Sequence, residues 1–264
     1  METILDFLIT YKYFFPLFLF VFLCIRYIVI AYGMYLILWK VFPKPLKKRQ
    51  IQSGQIKPGQ IKYEIKYSII SFAAMALVTS PLFYLFINGN TALYIKWSDQ
   101  PWWIIPIGVL TFFFWHDFYF YWSHKWLHSK WAFKKIHYIH HLSRIPTPFD
   151  SHCFHWIEGV LQIIFIYPMV LFFPMHIWTF VGYMALTQFF SAWGHFNYEL
   201  MPLKTWTKWW GKWVTTSTHH NYHHKYNNGN LGLYLRFWDI KYKTLDDRTR
   251  VRFEKYLKDA NASE

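Results

Sequence analysis

Four stretches of this chain are too long and too apolar for an ordinary water-soluble fold. They are residues 14–38 with a single Arg26, 67–87, 102–121 with His116 and Asp117 near its end, and 157–193 interrupted by Pro174 and His176. Within a bilayer every backbone N–H and C=O must be satisfied internally, which leaves helices or closed barrels, and these runs are too unbroken for barrel strands. The last run is long enough for two passes. The expected fold class is therefore all-α, a polytopic integral membrane protein with about four or five membrane-embedded helices. Composition agrees: 54% of residues are hydrophobic and 24% aromatic, against 16% charged. Glu2 and Asp6 stand where a secretory leader would carry basic residues, so the first run is expected to persist as a span.

Charge supplies the orientation. Lysines and arginines outnumber acids by 28 to 14, and Lys40, Lys44, Lys47, Lys48 and Arg49 follow the first run, whereas residues 88–100 hold only Lys96 and Asp99. Basic loops stay cytoplasmic, so the chain is expected to return to the cytoplasm by His124. The excess positive charge reads first as this topological bias, with attraction to anionic lipid or to an acidic redox partner as the alternative; no nucleic-acid-binding motif accompanies it. Cys24 and Cys153 fit a reduced compartment rather than a disulfide framework. Three units are expected: residues 1–66, a span with a basic cytoplasmic linker; 67–247, a membrane-embedded catalytic domain; and 248–264, a charged tail.

Three histidine clusters carry the chemistry: H-K-W-L-H at 124–128, H-Y-I-H-H at 137–141 and H-N-Y-H-H at 220–224. With 14 histidines in 264 residues, H-x-x-H-H is expected about 0.04 times per chain by chance, yet it occurs twice. Residues three and four apart share a helix face, so His124 with His128, His137 with His140 and His141, and His220 with His223 and His224 form three helical claws. Eight imidazoles exceed what one tetrahedral ion takes, which points to two ions in a cytoplasmic, histidine-rich metal-binding cap. Asp117 lies on the His124/His128 stripe and is expected to hold a ligand ring from behind. His116, His152 and His176 read as structural.

The run R-I-P-T-P-F-D-S-H-C-F-H-W-I-E-G at 144–159 resembles the fatty acid hydroxylase and sterol desaturase superfamily, in particular its lathosterol oxidase, or sterol 5-desaturase, branch. The likeness extends from about Asp117 to Asp239 and includes Pro174-Met175-His176, His195, H-H-N-Y-H-H, and Asn230, Gly232, Trp238 and Asp239. Trp156, where the branch has proline, and G-H-F-N-Y-E around His195 depart from it. The resemblance implies metal ligands at the eight clustered histidines and adds His155 and His195, each of which alone reads as structural. Glu158, His219 and Asp239 are then expected, with Asp117, in supporting positions around the ligands.

What the resemblance implies is a dioxygen-dependent oxidoreductase with two iron ions, or zinc as isolated, that desaturates or hydroxylates an unactivated C–H position of a lipid. A sterol-like substrate is favoured over a fatty-acyl or alkyl lipid. With neither a G-x-G-x-x-G fingerprint nor iron–sulfur cysteine spacing, electrons must come from a donor protein of cytochrome b5 or ferredoxin type, docking near Lys204, Lys208, Lys212 and Lys241. A two-zinc hydrolase would need a catalytic carboxylate that a histidine cage leaves little room for. A metal transporter or sensor would carry its histidines within the spans rather than just beyond their ends.

Overall fold

The computed structural model describes residues 2–42, 46–202 and 210–261. Its elements in chain order are α1 (Glu2–Thr10), α2 (Lys12–Val41), α3 (Gln60–Ile87), strand β1 (Leu93–Tyr94), α4 (Ile104–Leu127), α5 (130–141), α6 (Trp156–Phe172), strand β2 (Met175–His176), α7 (Ile177–Gly194), α8 (Ser217–Tyr226), α9 (Phe237–Lys241) and α10 (Asp247–Asn261). Helices α2, α3 and α4, of 30, 28 and 24 residues, are long and apolar enough to cross a membrane. The fourth apolar run folds as a hairpin of two shorter helices, α6 and α7, so three helices are both long and apolar enough to span among the described residues. Helix α3 starts at Gln60 and therefore runs through the expected boundary at 66/67, while the one at 247/248 falls at the start of α10.

Local chemistry accounts for these elements. Pro16 sits in the first α-helical turn of α2, just after the 3₁₀ turn Lys12–Phe14 that opens it, where its missing N–H is no loss. Pro81 is accommodated inside α3, and just before it the hydroxyls of Thr79 and Ser80 donate to Met75 O (2.7 Å) and Ala76 O (2.5 Å), so both side chains are satisfied without water.

Packing between spans relies on close approach and aromatic interdigitation. Gly159 of α6 faces Ser71 of α3, where an added Cβ would stand 3.3 Å from the Ser71 carbonyl oxygen. One apolar core joins Leu23, Tyr27 and Ala31 of α2 to Phe72, Met75 and Ala76 of α3 and to Phe149 and Phe154. The Tyr27 hydroxyl donates to Phe149 O at 2.7 Å. A second core holds Leu82, Phe112, Phe165, Met169, Met175 and Tyr183. Buried Glu64 of α3 accepts from Gln60 Nε2 (2.7 Å), Ser143 Oγ (2.8 Å) and Thr147 Oγ1 (2.5 Å), tying the segment after α5 to the bundle.

The hairpin tip is clamped at the end of the bundle remote from the histidines. There β1 and β2 pair in parallel, Leu93 with Met175 and Tyr94 with His176. His176 is structural: Nε2 donates to Ile95 O (2.7 Å), Nδ1 accepts from the Trp178 N–H, and the ring stacks on Trp97 with centroids 3.4 Å apart. From this tip α7 runs back and delivers His195, its C-terminal cap, to the other end.

Candidate metal centre

Nine histidines converge into two groups. His124, His128, His137, His141 and His223 form the first; His140, His195, His220 and His224 form the second; within each group the candidate ligand atoms lie within 4.8 Å of one another. The H-x-x-H-H boxes do not act as single claws, which corrects the expectation. At about 100° per residue, positions i and i+4 diverge by about 40° and adjacent positions by about 100°. His137 and His141 therefore stay together while His140 turns to the other group, and His220 and His224 stay together while His223 crosses over. Each box straddles both groups.

Hydrogen bonds fix the tautomers. Nδ1 of His124 donates to Leu231 O (2.9 Å), of His223 to Gly229 O (2.8 Å), of His195 to Ser191 O (2.6 Å) and of His224 to Ser143 O (3.1 Å). His137 Nδ1 donates to Glu158 Oε1 at 2.8 Å. The proton of each ring is thus outward and the Nε2 lone pair inward. His124 and His137 oppose Nε2 to Nε2 at 3.2 Å, and His195 and His224 stand 3.0 and 3.1 Å from His220 Nε2. Between His124 and His137 there is no proton to share, so two lone pairs face each other. A separation of about 3.0–3.4 Å is the edge expected of nitrogens about 2.1 Å from one cation. The donor set fits a metal ion in each group. Burial drives His137, His140, His141, His220, His223 and His224 well below the ordinary imidazole pKa, which keeps them neutral and able to ligate.

Beside both groups lies a cavity of about 370 Å³ reached by His124, His137, His140, His195 and His220. Its other walls include Phe113, Phe120, Phe154, Phe190, Trp193 and Tyr234. The lining is mostly apolar.

The fatty acid hydroxylase family model matches residues 109–244, more than half of the chain and the segment that supplies all nine clustered histidines. The chain belongs to that family. Over 189 residues it is 31% identical to lathosterol oxidase of Mus musculus, an alignment covering 70% of this chain and 61% of that protein. It is 30% identical over 209 residues to the Delta(7)-sterol 5(6)-desaturase of Saccharomyces cerevisiae, covering 76% and 54%. The resemblance read from the 144–159 run is thereby borne out, although the chain spans only about three-fifths of the length of the lathosterol oxidases. No solved structure matches it.

The family-derived residues do not all gather. His155 stands outside both groups, half-buried at the N-cap of α6, where Nδ1 accepts the Ile157 N–H. Asp117 does not hold a ligand ring: Oδ1 accepts from the N–H groups of Tyr234 (2.8 Å) and Leu235 (3.1 Å), and Oδ2 from Trp238 Nε1 (3.0 Å). Asp239 likewise accepts from the backbone of Leu231 and Gly232 and from the Thr244 hydroxyl. The two carboxylates fold the 231–238 loop, and that loop presents Leu231 O to His124. Gly232 is obligatory there, since a Cβ would fall 2.6 Å from Leu235 O. His219 closes a capping box at the start of α8, Nδ1 accepting the Thr216 N–H, while buried Glu199 accepts from the Thr216 and Thr218 hydroxyls. Glu158 alone of the four supporting residues touches a clustered imidazole directly.

Sequence reasoning missed Glu64, Glu199 and the carbonyls of Ser143, Ser191, Gly229 and Leu231, none of which has a spacing signature. It also missed Asp150, the one acid in an otherwise apolar or small-residue P-T-P-F-D-S run. Cys153 is buried and lies in neither group. Lys204 and Lys208 lie outside the described residues; Lys212 and Lys241 are exposed.

Proposed function

We propose that this protein is an integral membrane oxidoreductase that desaturates or hydroxylates an unactivated C–H position of a lipid, with a sterol-like substrate favoured. The observation that carries the reading is the pair of inward-facing Nε2 groups, one per ion, opening on a single aromatic-walled cavity. Two bound irons would supply dioxygen activation at that wall, with electrons from an external donor. The chain's own residues position and protect: neutral imidazoles hold the ions, Glu158 orients His137, and Phe120, Phe154 and Trp193 exclude water from the lipid. The relatives' printed names favour a sterol-like ring system over a straight acyl chain, and the flat aromatic walls agree.

Residues 67–247 would be the catalytic unit, 1–66 an anchoring span with its linker and 248–264 a tail, with four or five helices embedded counting the α6–α7 hairpin. The histidine end is assigned to the cytoplasm because Lys40, Lys47, Lys48 and Arg49 lie there and Lys96 with Asp99 at the tip. Exposed Trp97, Trp102 and Trp103 at one end and Trp126, Trp131 and Trp213 at the other mark the two interfaces. Exposed Lys212 and Lys241 suit an acidic electron carrier of cytochrome b5 or ferredoxin type.

The test is reconstitution of iron-loaded protein with reductant, labelled dioxygen and lipid extract. Label in a lipid alcohol identifies a hydroxylase, and loss of two hydrogens a desaturase. An unchanged lipid profile with a competent donor refutes the oxidoreductase reading.

A further inference from the structure

A further buried carboxylate stands beside the second group. Asp150 lies in the 3₁₀ turn Pro148–His152, fully buried. Its Oδ1 is 3.8 Å from His140 Nδ1, and its Oδ2 is 3.7 Å from His224 Nδ1 and 3.9 Å from His195 Nε2. Neither oxygen accepts a hydrogen bond of normal geometry, the Cys153 thiol and the Ser143 hydroxyl being the polar groups beside it other than the imidazoles, and His140 Nδ1 is likewise without a partner. The neighbouring Ser143 hydroxyl is turned to Glu64 at 2.8 Å. A carboxylate sealed among imidazoles, with an unpaired ring N–H beside it, is costly unless a positive charge joins the assembly.

The first group has its carboxylate already, Glu158 on His137 Nδ1. Among the described residues, Glu158 and Asp150 are the acids that stand against clustered imidazoles. Nine neutral imidazoles bring no charge to offset two cations, so each ion needs an anion in reach.

We propose that Asp150 is the second group's counterpart of Glu158. It is a positioning residue: it accepts the Nδ1–H of His140 and stands against the Nδ1 edge of His224. That holds their Nε2 lone pairs inward and supplies the negative charge for the ion of His140, His195, His220 and His224. The inference rests on the two-ion reading above.

Full-length protein in nanodiscs, loaded anaerobically with cobalt(II), separates the possibilities. Metal content, chelator competition and the cobalt absorption spectrum are read alongside thermal unfolding. Wild-type protein should hold two ions. Asp150→Ala should hold the first normally and release the second about 100-fold more readily, with Asp150→Asn about tenfold, since the amide still accepts the Nδ1–H but carries no charge. Glu158→Gln should weaken the other ion and alter the other part of the spectrum. A folded Asp150→Asn variant that keeps both ions at wild-type affinity, or loses both equally, overturns the assignment of Asp150. Asparagine is nearly isosteric, so it decides the matter if the alanine variant fails to fold. A single ion in wild-type protein instead overturns the two-ion reading.

Discussion

Replacing Asp117 by Asn tests whether the 231–238 loop is held as described. The carboxylate takes three donors, the N–H groups of Tyr234 and Leu235 on Oδ1 and the indole N–H of Trp238 on Oδ2. In the Asn variant the amide oxygen keeps the two backbone donors, but both bonds lose their charge assistance, about 1 kcal/mol each. The amide NH2 then faces the Trp238 N–H, donor against donor, and the half-buried indole proton loses its acceptor at a further cost of about 1–3 kcal/mol. The sum is about 3–5 kcal/mol, on the order of 10 °C in the unfolding midpoint for a chain of this size. Because the same loop offers Leu231 O to His124 Nδ1, metal affinity should fall as well, by about tenfold. Thermal unfolding with and without zinc, together with chelator competition, measures both effects. A variant with the wild-type midpoint and wild-type metal affinity would refute the claim that Asp117 acts through the loop.

Three further outcomes are expected. His140→Ala or His223→Ala should each lose bound metal, whereas His155→Ala and His176→Ala should keep their full complement by elemental analysis. Loss of metal from His155→Ala would return that ring to the cage. Tyr27→Phe removes the shorter of two hydroxyl donors to Phe149 O, leaving Ser68 Oγ at 3.3 Å, and should cost about 0.5–1.5 kcal/mol in unfolding experiments without changing metal content; an unaltered midpoint would show that the Ser68 hydroxyl alone satisfies the carbonyl. Metal-free protein should hold its stability above pH 6.5 and lose it below. Burial keeps six clustered imidazoles well under their ordinary value of 6.5, so as pH falls through 6.5 the unfolded chain takes up protons that the native state refuses. Each such group contributes up to about 1.4 kcal/mol per pH unit. A flat unfolding midpoint from pH 7 to pH 5 would contradict this.

The sequence was legible where periodicity carries the signal. The apolar runs become α2, α3, α4 and the α6–α7 hairpin, and the box spacing identifies eight of the nine converging histidines. His195 could be singled out only through family likeness, since a lone histidine at a helix C-terminus has no spacing partner. Spacing also misled: that three histidines share a helix face is true to within a turn, yet it hides the 100° between neighbours that divides each box. Asp117 shows the same limit, because its position on the His124 stripe was legible while the loop folding over it from more than a hundred residues away was not. Asp150, Glu64 and Glu199 are set by contacts between distant segments, and no local pattern announces them.

The division of each box means that the spacing of the two histidine groups is set by covalent structure. His140 and His141 are consecutive residues serving opposite groups, and so are His223 and His224; their ring centroids are 5.6 and 5.8 Å apart. Two independent peptide units, on different helices, act as matched rulers across the same gap. Were α5 or α8 to shift, each would carry an edge of both groups with it. Drift of the scaffold would therefore tilt or translate the pair as a unit before it pulled the two groups apart.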